Sequence, residues 1–190
     1  MKEATALPIA RMIHNKNRTP TGKRTATPAK KAATYFAFGR DVQAKEEGRQ
    51  RGEWTGPGGE QHSHAEVLAW SRAQSWQYAQ TFQALLSVPE GRLTASDYAE
   101  ALTNAGEIPD FRLMTHDDTA HSHAHVLFFR DKRLQKEDFM RWHGRVQQEL
   151  AALERKQLAG WEADKEQHLS PSAMPPEQIK QEKNSGFGLG

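Results

Sequence analysis

Apolar residues recur along this chain in two periods, and the period changes mark its elements. Residues 64–76 place Val67, Leu68, Trp70 and Ala73 at helical spacing. Residues 80–88, QTFQALLSV, form a β-prone run closed by Pro89 and Gly91. Thr94, Ala95, Ser96 and Asp97 carry a capping-box pattern, and Tyr98, Ala101 and Leu102 give the helix that follows an apolar face. Residues 111–115 and 124–130 read as two more strands with a polar, histidine-rich connection. From Lys136 to about Trp161 one long amphipathic helix is expected, with Phe139, Trp142, Val146, Leu150 and Leu153 on one side. Nearer the start, the aromatic segment ATYFAF at 33–38 predicts a strand. The charged stretch after it, broken by Gly56, Pro57, Gly58 and Gly59, predicts a loop.

These elements predict an α+β fold: an antiparallel sheet with helices packed on one face, a site on the other and a long C-terminal helix. Residues 1–31 are expected to be a basic, flexible arm, 32–166 the folded domain, and 167–190 a disordered tail rich in Pro, Ser and Gly. A length of 190 residues fits one domain with tails. No run of 18 apolar residues exists, so no membrane insertion is expected, and the absence of an apolar leader points to the cytoplasm. With no cysteine, disulfides, thiol catalysis and thiolate metal sites are excluded, and any metal must be held by His, Asp or Glu.

Charge changes the picture more than composition does. Residues 1–31 carry eight Lys or Arg against Glu3 alone, a net +7, which leaves −5 on the rest of a chain whose total is +2. A basic segment ahead of a mildly acidic body suits a polyanion, because bound Lys and Arg release phosphate counterions.

The densest chemistry lies at 116–126, HDDTAHSHAHV, with four histidines in ten residues. His123 and His125 alternate in a strand, so both imidazoles leave the same face. Leu127 continues that row, whereas Ala124, Val126 and Phe128 point the other way. His116 ends the preceding strand, and a hairpin brings it beside the pair. Three neutral imidazoles suit Mn²⁺, Ni²⁺, Co²⁺ or Zn²⁺, and hold Mg²⁺ more weakly. Asp118 is placed to accept a proton from a ligand's second nitrogen. His121 lies in the connection and is the histidine expected to stand apart.

The segment 116–126 resembles the third motif of the MOB-P-like relaxases, the DNA-nicking mobilisation proteins of the HUH endonuclease superfamily. The stretch 82–91, FQALLSVPEG, is similar to the strand-and-turn motif of those proteins, with Ser87 where they place a serine near DNA. The stretch 33–41, ATYFAFGRD, is similar to the motif bearing their catalytic tyrosine, with Tyr35 in that position. The resemblance spans about residues 33–130. It implies His116, His123 and His125 as ligands of a divalent ion (Mn²⁺ or Mg²⁺, with Zn²⁺, Ni²⁺ or Co²⁺ as alternatives) and Asp118 as their supporting acid. It implies an enzyme that nicks one DNA strand at an origin of transfer through Tyr35, forms a 5′-phosphotyrosyl intermediate and later rejoins the strand. Its partners would be single-stranded DNA, accessory relaxosome proteins and a coupling protein, in conjugative transfer of a plasmid or integrative element. A rolling-circle initiator, a transposase and a non-enzymatic DNA-binding accessory protein are the alternatives.

Of the three tyrosines, Tyr98 reads as a packing residue on its helix and Tyr78 lies outside any motif. Lys30, Lys31, Arg40, Arg49 and Arg51 flank Tyr35 and are candidate DNA contacts, with Trp54 a candidate to stack on an unpaired base. Arg130, Lys132 and Arg133 follow the histidine strand and are candidate phosphate ligands near the scissile bond.

Overall fold

The computed structural model describes residues 7–116 and 121–169. Six strands form one sheet in the order β1-β4-β6-β5-β2-β3: β1 (Ile9–Lys16), β2 (Trp54–Thr55), β3 (Gln61–His62), β4 (Gln80–Ser87), β5 (Phe111–His116) and β6 (His123–Arg130). Every neighbouring pair is antiparallel. The helices are α1 (Thr27–Phe38), α2 (Val42–Glu46), α3 (His64–Gln77), α4 (Ala95–Ala105) and α5 (Lys136–Leu169). The fold is α+β, as expected. Among the described residues, those up to Leu158 make one compact unit and those from Ala159 another. Among the described residues no helix is long and apolar enough to cross a membrane.

Helices cover both faces of the sheet, which corrects the expectation of one covered face. On the first face Phe82, Ala84, Leu86, Phe111, Leu113, Ala124, Val126 and Phe128 share a core with Tyr98 and Leu102 of α4 and Trp142, Val146 and Leu150 of α5. On the second, Met114, Leu127, Phe129 and Trp54 share a core with Ala29, Ala33, Phe36 and Ala37 of α1 and Val67 of α3. Period-2 alternation divides each strand between the two. Buried Glu154 fastens α5 down: its carboxylate accepts the amides of Glu90 and Gly91, both at 2.7 Å.

Two further expectations fail near the N-terminus. Residues 33–38 are not a strand but the second half of α1. Pro28 stands in the first turn, and Ala29, Ala32, Ala33, Phe36 and Ala37 are buried, an i, i+3, i+4, i+7, i+8 stripe. A six-residue window starting at 33 cuts that stripe in half, so its aromatic content dominates the reading. The basic arm is folded from Ile9 onward: β1 pairs along its full length with β4, burying Ala10 and stacking His14 on Phe82. Thr, Pro and Lys in the rest of the arm hid a strand whose outer row is Ile9, Arg11, Ile13 and Asn15. The stretch read as loop holds α2, β2 and β3, and α5 runs eight residues past the expected end. The connection 117–120 and the expected tail from residue 170 lie outside the described residues.

Candidate metal centre

The register of β4, β5 and β6 builds the site. His116 is directly opposite His123, and Met114 opposite His125, so the three histidines leave the second face together. Each offers a ring nitrogen such that all three atoms lie within 4.8 Å of one another. Ring centroids are 4.9 Å apart for His116–His125, 5.2 Å for His116–His123 and 5.5 Å for His123–His125. His116 is buried, and the other two are half-buried, so one side of the cluster meets solvent.

Hydrogen bonds fix two of the ring tautomers. A carbonyl oxygen only accepts, so Nε2–H of His116 donates to Phe36 O at 2.8 Å, leaving Nδ1 with the lone pair. By the same logic Nδ1–H of His123 donates to His121 O at 3.3 Å, leaving Nε2. Metal-binding imidazoles are held this way, by a carbonyl or carboxylate on the second nitrogen. The donor set, three imidazoles with one solvent-facing side, fits a divalent ion of the borderline transition series that keeps open positions for oxygen ligands.

Helix α1 lies across this cluster. The Phe36 ring stacks on His125 at 4.5 Å and 25°. Tyr35, one residue earlier and 46% exposed, sets its ring edge-on to His125 at 6.3 Å. Tyr35 also lines two open grooves. One, of about 540 Å³, runs between α1 and the strand floor and is lined by Asn15, Thr25, Lys31 and Gln83 among others. The second, of about 400 Å³, is lined by Lys30, Lys31, Arg40 and Lys45 with Asp41 as its one carboxylate. The expected cations Lys30, Lys31 and Arg40 therefore stand beside the tyrosine. Arg51 donates its amide to Ala37 O and packs its side chain against Gly39, at the C-terminal end of α1.

Most other expected residues are placed elsewhere. Arg49 pairs with Glu47 at 2.9 Å on the surface. Ser87 sits opposite His123 on the same face and donates to Ser122 O at 3.1 Å. Arg130 closes the far end of β6, five residues or roughly 17 Å along the strand from His125. It donates to Glu107 O at 2.7 Å. Lys132 and Arg133 follow it, so the structure does not bring these three to the cluster. Trp54 is fully buried between Phe36 and His64, which removes it as a base-stacking surface. Asp118 lies outside the described residues. His121 stands apart, its Nδ1–H donating to Pro89 O at 2.8 Å. Tyr98 is a packing residue, fully buried with its hydroxyl donating to Ser122 O at 2.8 Å, and Tyr78 caps α3.

Sequence reasoning missed Phe36 and His64. The signal for Phe36 was its place in the α1 stripe, legible once Pro28 is read as a helix start. His64 lies against Phe38 and Trp54, and burial holds its pKa below the usual histidine value. Searches against protein-family models, curated proteins and solved structures find no match to this chain.

Proposed function

We propose that this protein is a metal-dependent DNA strand transferase of the relaxase type, which nicks single-stranded DNA at an origin of transfer and later reseals it. The observation that carries the reading is the juxtaposition of an exposed tyrosine, Tyr35, with a three-histidine cluster that could hold one ion. The Lys30, Lys31, Arg40 groove supports it by supplying the positive wall a phosphate backbone needs.

A phosphodiester resists attack because its charge repels nucleophiles. A divalent ion bound by His116, His123 and His125 would neutralise a nonbridging oxygen and polarise phosphorus, contributing several kcal/mol. Tyr35 then attacks in line. The Tyr35 oxygen–phosphorus bond forms, the phosphorus–O3′ bond breaks, and the phenolic proton ends on the departing 3′-oxygen. The product is a 5′-phosphotyrosyl bond and a free 3′-OH, with the bond energy retained for religation. Lys31 and Arg40 would hold flanking phosphates so that the scissile one lies between Tyr35 and the histidines.

Incubation with end-labelled single-stranded DNA and Mn²⁺, followed by a denaturing gel, tests this. Label migrating with the protein is the expected result. Free cleaved product without attachment would instead assign a metal hydrolase acting through water. No product at all would assign a DNA-binding accessory protein.

A further inference from the structure

We infer that Phe36 is a positioning residue that couples the seating of α1 to metal affinity, acting on two of the three ligands at once. The inference rests on the reading of the histidines as a metal centre.

The last four carbonyls of a helix have no partner within it. In α1 all four are satisfied from outside. Tyr35 O accepts from Gly39 N at 2.7 Å, Ala37 O from Arg51 N at 2.8 Å, and Phe38 O from Asp41 N at 3.3 Å. Phe36 O alone accepts from a side chain, Nε2–H of His116 at 2.8 Å. That oxygen carries part of the negative end of the helix dipole. It therefore does what a carboxylate does behind a metal-bound histidine: it fixes the tautomer, aims the ring and raises the basicity of the other nitrogen. The Phe36 side chain meanwhile lies flat on His125 at 4.5 Å, which sets the plane of a second ligand. Phe36 is 2% exposed, so neither contact can be replaced by water without lifting α1 from the sheet.

Two consequences follow. Metal binding must tighten α1, because a coupling between sites is reciprocal. Tyr35, adjacent to Phe36, is delivered to the cluster by the same seating, so nucleophile and ligands are set by one helix.

The test is calorimetric titration of the full chain with Ni²⁺ alone, in wild type, Phe36→Leu and Phe38→Leu. Phe38 is also buried in α1, but its ring meets His64 and none of the three ligands. Phe36→Leu keeps the carbonyl behind His116 but takes the ring from His125, and should weaken Ni²⁺ binding by about threefold to tenfold, the share of one aromatic contact. Phe38→Leu should leave it within about twofold of wild type. Hydrogen exchange by mass spectrometry should show Ni²⁺ slowing exchange in residues 35–39 of wild type and less so in Phe36→Leu. Equal affinities in wild type and Phe36→Leu, or equal losses in both variants, would overturn the inference while leaving the metal centre standing. Absence of Ni²⁺ binding by wild type would overturn both.

Discussion

Ala124, Val126 and Phe128 on one side of β6 and His123 and His125 on the other are separated by single residues, yet they meet opposite surroundings. The first set is sealed under Tyr98, Leu102, Trp142 and Val146, with none more than 1% exposed. The second lies half-open beneath α1, with a tyrosine at its rim. Strand periodicity makes this division possible, but the helices decide its character. The face under α4 and α5 is packed with large apolar side chains. The face under α1 is packed by alanines and Phe36, and the exposed side of that helix borders a groove lined by Lys30, Lys31 and Arg40. On the proposed reading, stability and chemistry fall on opposite sides of the same strand.

Paired substitutions across β6 give the sharpest way to break this division. Phe128→Ala should cost about 3–5 kcal/mol in denaturant unfolding, the usual range for emptying a buried phenylalanine site. His125→Ala should abolish DNA nicking while changing stability by about 1 kcal/mol or less, as befits a half-exposed position. A large loss of stability from His125→Ala with nicking retained would erase the distinction between the faces.

Charge offers a milder contrast, between the cations around α1 and those at the end of β6. Lys30, Lys31 and Arg40 changed together to Gln should weaken single-stranded DNA binding across unrelated sequences. The slope of log affinity against log salt should flatten by about 2, at roughly 0.7 for each phosphate no longer neutralised. The same treatment of Arg130, Lys132 and Arg133, at the far end of β6, should leave the slope unchanged. Equal effects would place the DNA along the whole sheet edge. Deleting residues 1–31, the obvious test if they were a free arm, would remove β1 and the start of α1, so point substitutions replace it.

The smallest expected effect is on pH dependence. Burial lowers the pKa of His64, and burial followed by the charge of Arg133 lowers that of His14. The unfolded chain therefore binds these protons more readily than the folded one, so stability is complete above about pH 6.5 and declines as pH falls through the lowered values. His64→Gln should lessen the decline in the urea midpoint between pH 7.5 and 5.5, measured without metal. An unchanged profile would show that His64 is accessible to solvent.

The site was more legible in the sequence than its lid. His123 and His125 alternate within a strand, and a hairpin to His116 follows from the short connection, so period 2 and chain length suffice to bring them together. The apolar stripe of α5 was equally plain, because Phe139, Trp142, Val146, Leu150 and Leu153 repeat over several turns. Tyr35 was singled out on motif likeness, but its element was misread. Alanines carry little hydrophobic signal, and the burial of Ala29, Ala32, Ala33 and Ala37 comes from α1 packing on α3 and β6 and not from their own bulk. Trp54 was misplaced for a related reason: beside glycines and charges it reads as a loop residue, whereas a two-residue strand paired with Met114 and Leu113 buries it. Long-range pairing of that kind leaves almost no local trace.

The proposed function turns on whether Tyr35 attacks phosphorus beside the histidine cluster. The direct measurement is mass spectrometry of the protein–DNA adduct formed with Mn²⁺, after nuclease and trypsin digestion. A nucleotide on the peptide 32–40, attached at Tyr35, is expected, with no adduct from Tyr35→Phe, whose ring and folding are preserved. Attachment at Tyr78 or Tyr98, or an adduct formed at the normal rate by Tyr35→Phe, would contradict it.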